Sequence, residues 1–255
     1  MNPTITDWKD RRVWLMGASS GIGAALARAL TAAGARVALS ARRAERLTTL
    51  AKGLPGALVL PCDATDVASL DAARERIVAA WGGIDLAVYL AGDYTPMRAW
   101  DVERKAAERM IAVNLGGAIA FAAALTPLLL KQQGGQIAFV SSVAGYRGLP
   151  KSAAYGPTKA ALINFAETLY LDLAPRGIGV RLINPGFVAT PLTAQNDFAM
   201  PALITPDEAA AAILRGLASS AFEIHFPKRF TYFMKLLRLL PYRLYFFLIR
   251  RITGD

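Results

Sequence analysis

Residues 13–34 read VWLMGASSGIGAALARALTAAG, and the architecture of the chain can be worked out from here. Residues 13–16 are a predicted apolar strand, and the residues after Gly23 have helical periodicity up to Gly34, a residue type that commonly ends helices. The turn between strand and helix has the spacing GxxxGxG. Glycines let the backbone approach a pyrophosphate closely, and a helix N-terminus offers free N–H groups. We favour a dinucleotide cradle over a ligand-free turn, and the predicted contact residues are Gly17, Ser19, Ser20, Gly21, Ile22 and Gly23.

A second strand is predicted at residues 36–40, and Ala41-Arg42-Arg43 follows it. An acid at the end of this strand would hydrogen-bond a ribose 2′-hydroxyl and repel a 2′-phosphate. Arginine instead offers a planar guanidinium that suits phosphate. The sequence therefore favours NADP(H), with Arg42 as the contact residue, and leaves NAD(H) open. The alternative is that both arginines only begin a solvated helix, above all Arg43.

Strands and helices alternate along the rest of the chain. Further strands are predicted at residues 57–61, 84–90, 134–142, 180–183 and 222–226. Helices are predicted at residues 66–81, 101–131 and 206–219, and one more carries Tyr155 and Lys159. This alternation predicts an α/β domain over residues 1–226, with a parallel sheet of about seven strands covered by helices on both faces. Residues 192–206 are irregular and carry apolar side chains, as expected of a lid over an apolar substrate.

The residues with the clearest catalytic chemistry are Ser142, Tyr155 and Lys159. Tyr155 and Lys159 are four apart, so on a helix they lie on the same face. A lysine cation near a phenol favours the phenolate and lowers the tyrosine pKa. Such a tyrosine can give a proton to an alkoxide or take one from an alcohol. Ser142 follows an apolar strand, where its hydroxyl can hydrogen-bond the oxygen of the reacting carbon.

Several other motifs follow predicted strands or interrupt a helix. Asp63 follows the third strand, where an aspartate can meet an adenine amino group, and Asn184-Pro185-Gly186 forms a turn after the sixth. Asn114 lies inside a predicted helix, although asparagine is a poor helix former.

Together these motifs resemble the short-chain dehydrogenase/reductase (SDR) family over residues 11–226. The resemblance implies a Rossmann-type doubly wound fold, a nicotinamide cofactor and a homodimer or homotetramer. It implies that Tyr155 donates or accepts the proton, that Ser142 positions the substrate oxygen, and that Lys159 tunes Tyr155 and binds the nicotinamide ribose. Asn114 would hold a water in a proton relay. Further cofactor contacts are implied at Asp63, Ala91, Gly92, Pro185, Gly186, Val188 and Thr190.

The sequence departs from the family pattern in three places. Met16 stands where threonine is common before the first glycine, and Tyr89-Leu90 stands where two asparagines usually precede Ala91-Gly92. Both departures affect how strand ends are braced around the cofactor, and neither removes a catalytic group. The third departure is the tail after Phe226, which the family pattern does not explain.

Composition places most of the excess charge in this tail, residues 227–255. The net charge is +10, and residues 226–255 hold seven basic residues, one acid and eight of the 23 aromatic residues. Pro241 divides the tail into two predicted short helices. Basic residues among aromatic and leucine side chains favour peripheral contact with a membrane surface through residues 228–252. The competing interpretation is packing against the protein's own core, a subunit interface or the substrate mouth. Nucleic acid is not expected as a partner.

The single cysteine, Cys62, excludes an intrachain disulfide and a cysteine-rich metal site, and we expect no metal. The N-terminus lacks the apolar segment of a signal peptide, and no uninterrupted apolar run is long enough to span a bilayer. We expect a cytoplasmic protein, peripherally attached to the inner face of a membrane. The favoured function is an NADP(H)-dependent oxidoreductase that interconverts a ketone or aldehyde and an alcohol on a hydrophobic, lipid-like or steroid-like substrate. The alternative is a non-catalytic NADP-binding regulatory or membrane-docking protein.

Overall fold

A computed structural model of the protein describes residues 1–254, which form a seven-stranded parallel sheet with helices on both faces. The strands are β1 (Arg12–Met16), β2 (Arg36–Ser40), β3 (Leu58–Val59), β4 (Leu86–Tyr89), β5 (Gln136–Val140), β6 (Gly179–Pro185) and β7 (Glu223–Phe226). The helices are α1 (Gly21–Ala32), α2 (Ala44–Ala51), α3 (Val67–Trp81), α4 (Arg104–Ile111), α5 (Gly117–Gln132), α6 (Tyr155–Leu173), α7 (Pro206–Leu217), α8 (Lys228–Leu239) and α9 (Tyr242–Thr253). The predicted Rossmann-type doubly wound fold is confirmed.

The strand order is β3-β2-β1-β4-β5-β6-β7, so the chain reverses direction across the sheet between β1 and β4. In open α/β sheets, ligands bind at such a switch point, outside the carboxyl ends of the strands. Strand β1 pairs with β2 in the register Val13↔Val37 and with β4 in the register Val13↔Leu86. The carboxyl ends of these three strands therefore meet at one edge.

Alternation along β1 shows how the sheet separates two cores. Trp14 and Met16 face the cluster that contains Phe121 of α5, with the Trp14 and Phe121 ring centroids 4.7 Å apart. Val13 and Leu15 face the opposite cluster, which α1 and α7 cover. Successive side chains of a strand point to opposite faces, and helices cover both faces here, so β1 is apolar throughout.

The largest difference from the predicted elements concerns the long helix at residues 101–131. It begins at Arg104, and a π-helical segment at Ala112–Gly116 separates α4 from α5. By length and composition, Arg104–Gln132 could cross a membrane, although the sequence has no uninterrupted apolar run of that length. Half of its apolar window is buried within the fold. The remaining predicted strands and helices differ from the observed ones only at their ends.

The tail forms the two predicted helices, α8 and α9, on either side of Pro241. Their inner side chains belong to the same hydrophobic cluster as α3, α5 and α6, and the members of the tail in it are Met234, Leu237, Tyr245 and Ile249. The inner side of the tail therefore packs against the protein's own core, as the competing interpretation expected. The domain boundary at residue 226 stays a prediction.

Candidate active site

A cleft of about 760 Å³ opens at the carboxyl ends of the strands around the switch point. Every predicted cofactor contact lines it, as do Ser142, Tyr155 and Lys159. The one predicted site residue that does not line the cleft is Asn114, which is completely buried behind it. The volume falls within the range of roughly 300–1,000 Å³ that ligand sites usually have.

The glycine loop closes one side of the cleft because the backbone there leaves no room for side chains. Gly17 has φ +103°, and a Cβ on it would lie 2.5 Å from the backbone nitrogen of Ala91 at the end of β4. A Cβ on Gly23 would lie 2.3 Å from the carbonyl oxygen of Gly17. The Ser20 side chain does not cap α1, so the first-turn N–H groups of this helix are not occupied by a side-chain cap. The loop thus fits a dinucleotide, whose pyrophosphate needs close backbone approach and free helix N–H groups.

Two arginines and one carboxylate form the outer part of the cleft. Arg42 and Arg43 are both exposed and line it, and Arg43 Nη2 lies 3.4 Å from Ser19 Oγ of the glycine loop. Asp63 accepts hydrogen bonds from Thr65 N and Oγ1, both at 2.9 Å. The bond from the Thr65 backbone is the main cause that lowers the pKa of Asp63, and the charge of Arg42 adds to it. Arg43 is the residue before α2 and also reaches the loop, so it does more than begin a solvated helix.

Ser142, Tyr155 and Lys159 meet at the inner end of the cleft. Ser142 follows β5, and its Oγ accepts a hydrogen bond from Ala144 N at 3.1 Å. Tyr155 is the first residue of α6. Its phenol faces the Ser142 hydroxyl. Lys159 is buried one turn further on, and its Nζ donates to the carbonyl oxygen of Val140 at 3.0 Å and lies 5.6 Å from the Tyr155 ring centroid.

The net shift of the Tyr155 pKa is opposite to the lowering expected from Lys159. Burial raises the pKa of Tyr155 to about 12, and hydrogen bonding with Ser142 opposes this only in part. Burial also lowers the pKa of Lys159 to about 8, because its ammonium has a carbonyl partner and no carboxylate. Desolvation penalises the charged form of both groups. At neutral pH the phenol is therefore protonated, and so is most of the lysine.

Asn114 lies in the π-helical segment, and its side chain is fully engaged by the protein. Its Oδ1 accepts from Asp93 N at 2.7 Å, and its Nδ2 donates to Asp93 O at 2.9 Å and to Thr158 Oγ1 at 3.0 Å. These bonds brace the chain after Gly92. A Cβ on Gly92 would lie 3.6 Å from Asn114 Oδ1 and 3.9 Å from Lys159 Nζ. Local π-helical turns are frequent at functional sites. The water relay stays a prediction.

The unusual Tyr89 has a structural role beside Asn114. Tyr89 is completely buried, its ring packs 5.4 Å from that of Phe121, and its hydroxyl donates to the carbonyl oxygen of Val113 at 2.6 Å. Val113 is the residue before Asn114 in the π-helical segment. Tyr89 thus braces the segment from the core side. Burial raises its pKa, so the hydroxyl stays protonated and remains a donor.

Tyr94 is a site residue that the sequence analysis missed. Its ring lies edge-on to that of Tyr155, with 4.8 Å between the centroids, and its hydroxyl donates to Asn196 Oδ1 at 2.6 Å. It therefore links Tyr155 to the predicted lid. Its position two residues after Ala91-Gly92 was the available signal. Of the lid, Leu192 lines the cleft, whereas Phe198 and Leu203 are exposed and do not line it.

The tail braces the segment between Ser142 and Tyr155. Arg147 donates to the carbonyl oxygens of Leu237 and Leu240 at 2.9 and 2.6 Å, and its guanidinium lies 4.0 Å from the Tyr245 ring centroid. The Tyr245 hydroxyl in turn donates to the carbonyl oxygen of Gly148. The inner side of the tail therefore helps to hold the segment between Ser142 and Tyr155 in place.

A second link to the tail passes through Glu223 of β7. Its carboxylate accepts from the Tyr146 hydroxyl and from Asn184 Nδ2, and it pairs with Lys235 of α8. Burial alone would raise the pKa of Glu223, but these bonds outweigh it and hold the pKa below its usual value. Tyr146 lies four residues after Ser142, so this cluster fixes the same segment from the sheet side. Among residues 1–254, no group of three or more His, Cys, Asp or Glu side chains is placed to hold a metal ion.

Comparison with known proteins agrees with this geometry. The family model described as short chain dehydrogenase matches residues 11–200. The chain belongs to the short-chain dehydrogenase family. It is therefore an SDR-type oxidoreductase, and the family binds a nicotinamide dinucleotide, NAD or NADP.

Two uncharacterized oxidoreductases illustrate how far the similarity extends. One, from Myxococcus xanthus (strain DK1622), is 36% identical over 247 residues, which cover 95% of this chain and 97% of that protein. That coverage is nearly complete, so the match extends into the tail. The other, from Staphylococcus epidermidis, is 36% identical over 191 residues, covering 74% of this chain and 83% of the relative.

Solved structures share the fold. A short-chain type dehydrogenase/reductase from Mycobacterium marinum superposes with a TM-score of 0.79 at 29% identity, covering 86% of this SDR chain and 94% of that one. A short chain dehydrogenase/reductase from Burkholderia phymatum, solved in complex with NAD, gives a TM-score of 0.83 at 21% identity, covering 91% of this chain and 94% of that one. At that identity, the second comparison supports the fold alone.

Proposed function

We propose that this SDR protein is an NADP(H)-dependent oxidoreductase that interconverts a ketone or aldehyde and an alcohol on a small hydrophobic substrate. The observation that carries the proposal is the meeting of the Ser142 hydroxyl and the Tyr155 phenol at the inner end of a dinucleotide-sized cleft, with the Lys159 ammonium buried beside them. A general acid must lie within hydrogen-bonding reach of the oxygen that it protonates. A carbonyl oxygen between Ser142 and Tyr155 meets this requirement.

The nicotinamide would supply the hydride in the reducing direction. Tyr155, protonated at neutral pH, gives its proton to the oxygen of the reduced carbon, and the Ser142 hydroxyl hydrogen-bonds the same oxygen. The Lys159 ammonium, 5.6 Å from the Tyr155 ring centroid, then stabilises the phenolate that remains. Lys159 and Tyr155 would also hold the nicotinamide ribose. The chain residues thus orient the carbonyl and manage one proton.

The preference for NADP(H) rests on the charge at the outer part of the cleft. Arg42 and Arg43 both line it at the end of β2, where an NAD-specific site would present an acid. Two guanidinium groups on the outer wall would bind a 2′-phosphate. Arg42→Ala should weaken NADPH binding much more than NADH binding, and adding Arg43→Ala should weaken NADPH further. Equal losses for both cofactors would contradict the assignment.

The hydrophobic substrate is supported by the side chains near the reacting group. Tyr94 packs edge-on against Tyr155, and Leu192 and Val188 line the same cleft. Tyr94 and Leu192 would offer apolar contact to a substrate bound beside Tyr155. We infer a long-chain, lipid-like or steroid-like ketone or alcohol as the substrate class.

The decisive experiment compares two tyrosine variants. Tyr155→Phe should abolish nearly all NADPH-dependent reduction of a pool of hydrophobic ketones while NADPH binding, followed by cofactor fluorescence, stays intact. Tyr232→Phe is the matched control, since it removes the same atom from an exposed ring outside the cleft, and it should keep most turnover. Retention of activity in Tyr155→Phe would exclude this proton donor. Tight NADPH binding by the unmodified protein without turnover of any ketone or alcohol would instead favour the non-catalytic regulatory or membrane-docking alternative.

We further propose a homodimer or homotetramer in the cytoplasm. The oligomer is supported by Arg104–Gln132, whose apolar window is only half buried in one copy of the chain. Ile111 and Ile119 in this region are exposed and available for such a contact.

A further inference from the structure

The outer side of α8 and α9 carries a concentration of exposed apolar side chains. Of the nineteen large apolar side chains exposed within residues 1–254, nine lie in these two helices. They are Tyr232, Phe233, Leu236, Leu239, Tyr242, Leu244, Phe246, Phe247 and Ile252. Exposed apolar side chains are normal when scattered, but a concentration of them marks an interaction surface.

The same surface is strongly and uniformly basic. Residues 228–254 contain seven lysines and arginines and no acid. Six of the seven are exposed, and the seventh, Lys235, is half-buried and pairs with Glu223. On α9, the outer face has the helical spacing of Arg243, Phe247, Arg250 and Arg251, opposite the buried Tyr245 and Ile249. The three arginines and two phenylalanines, Phe246 and Phe247, line one shallow groove.

We propose that α8 and α9 are a docking surface for an anionic lipid bilayer, which they contact while lying in the plane of the interface. Phenylalanine and leucine side chains would enter the boundary between headgroups and acyl chains, and the arginines would meet lipid phosphates. With twelve residues, α9 is about 18 Å long at ~1.5 Å per residue, well short of a bilayer core of ~30 Å. It therefore lies on the membrane and does not span it.

The surface is held rigidly by the rest of the protein. The inner side chains of both helices are buried in the main core, and Arg147 fixes the junction between them through the carbonyl oxygens of Leu237, Arg238 and Leu240. The helices need no folding step on contact, so little conformational entropy is lost on docking. This separates the tail from a disordered basic segment that orders only on binding.

Charge decides between the bilayer and a second copy of the chain. A symmetric dimer would place the same patch of each copy against the other, which brings six exposed basic residues against six with no acid in residues 228–254 to compensate. An anionic bilayer supplies the missing negative charge and the apolar phase together. A nucleic acid would supply only the charge and would leave the exposed leucines against phosphate.

In the docked orientation, the side of the cleft that α8 contacts would lie close to the bilayer. Phe230 of α8 packs 5.6 Å from the Phe187 ring centroid, and a Cβ on the cleft-lining Gly186 would lie 2.8 Å from Phe230. If the proposed function is correct, an apolar substrate can pass between the lipid phase and the cleft along this side. The docking surface itself does not depend on that function.

The test is sedimentation of the full-length protein with vesicles made of phosphatidylcholine alone or of phosphatidylcholine and phosphatidylglycerol in equal parts. Binding is expected only to the anionic vesicles, and it should weaken in high salt. The triple variant R243S/R250S/R251S should lower the partition coefficient roughly 100-fold, which corresponds to about 1 kcal/mol for each arginine. The double variant F246S/F247S should lower it as well.

Matched controls remove the same chemistry from other exposed sites. R46S/R104S/R176S removes the same charge, and Trp100→Ser removes an exposed aromatic ring, so both variants should bind vesicles like the unmodified protein. Circular dichroism and NADPH binding check the fold of every variant. The two α9 variants change different exposed residues, so either one can carry the test if the other does not fold.

Three outcomes would overturn the proposal. They are equal binding to neutral and anionic vesicles, no binding to either, and equal losses in the α9 variants and their controls. Dimerisation in ultracentrifugation that F246S/F247S abolishes, together with no vesicle binding, would assign the surface to a second copy. Binding to an oligonucleotide but not to anionic vesicles would assign it to nucleic acid. Failure of the proposed enzymatic function would leave vesicle binding unchanged, so the two proposals fail separately.

Discussion

Tyr89→Phe tests whether the departure from the family pattern at the end of β4 has a function. The substitution removes one hydroxyl, which donates to the carbonyl oxygen of Val113 at 2.6 Å, and leaves the ring against Phe121 in place. Core packing is therefore preserved. The change isolates the bond that holds the π-helical segment next to Asn114.

The expected magnitude follows from the loss of one buried side-chain hydrogen bond. Such a bond contributes about 0.5–1.5 kcal/mol. We expect the free energy of unfolding to fall by that amount. Because Asn114 follows Val113 directly and braces the chain after Gly92, we also expect kcat to fall about tenfold, equivalent to about 1.4 kcal/mol in the activation barrier.

The assay is urea denaturation combined with steady-state reduction of a ketone substrate, with NADPH binding as a third measurement. Tyr232→Phe is the matched control, since the tyrosine is 59% exposed and the same atom is removed. A stability loss below about 0.5 kcal/mol would contradict the assigned bond. Normal kcat in a destabilised Tyr89→Phe would show that the bond serves the fold and not Asn114.

Three further predictions concern the cleft, pH and the tail. Gly17→Ala should abolish NADPH binding or folding, measured by cofactor fluorescence and circular dichroism, because its Cβ would lie 2.5 Å from Ala91 N; normal binding would contradict this close approach. Burial lowers the pKa of His225 to about 4 from 6.5, so the unfolded chain binds more protons between these values. Unfolding free energy should therefore fall by up to about 3 kcal/mol as pH drops from 6.5 to 4, and His225→Gln should remove that part of the slope. Arg147→Ala should accelerate amide exchange in α8 and α9, whereas Arg104→Ala should not.

The placement of residues around the cleft could be predicted where it depends on local sequence. The glycine loop depends on a strand, a turn and a helix that are contiguous in the chain, so its spacing alone indicates the cradle. Tyr155 and Lys159 are one helical turn apart, and a helix of any packing brings them to one face. The cleft lining at Pro185 and Gly186 follows from the end of β6 in a parallel sheet, where neighbouring strands end at the same edge.

What the sequence did not reveal depends on contacts between distant residues. The partners of Asn114 are 21 and 44 residues away, and the break in the helix around it has no local signal beyond a poor helix former. The raised pKa of Tyr155 reflects burial by the whole site, which outweighs the lysine that the spacing indicated. The contact between Tyr94 and Tyr155 likewise joins two distant parts of the chain, the loop after β4 and the start of α6.

The packing of the tail changes how its function can be tested. Deleting residues 228–255 would remove four buried apolar side chains, Met234, Leu237, Tyr245 and Ile249. Burying each contributes roughly 1.5–3 kcal/mol, so together they contribute about 6–12 kcal/mol, as much as the 5–15 kcal/mol by which a domain is usually stable. The deletion would also release Arg147 and Gly148 from the tail, between Ser142 and Tyr155. If the truncated chain lost both membrane binding and turnover, unfolding would explain the result as readily as loss of function. Only substitutions confined to the exposed face of α9 separate unfolding from loss of membrane binding.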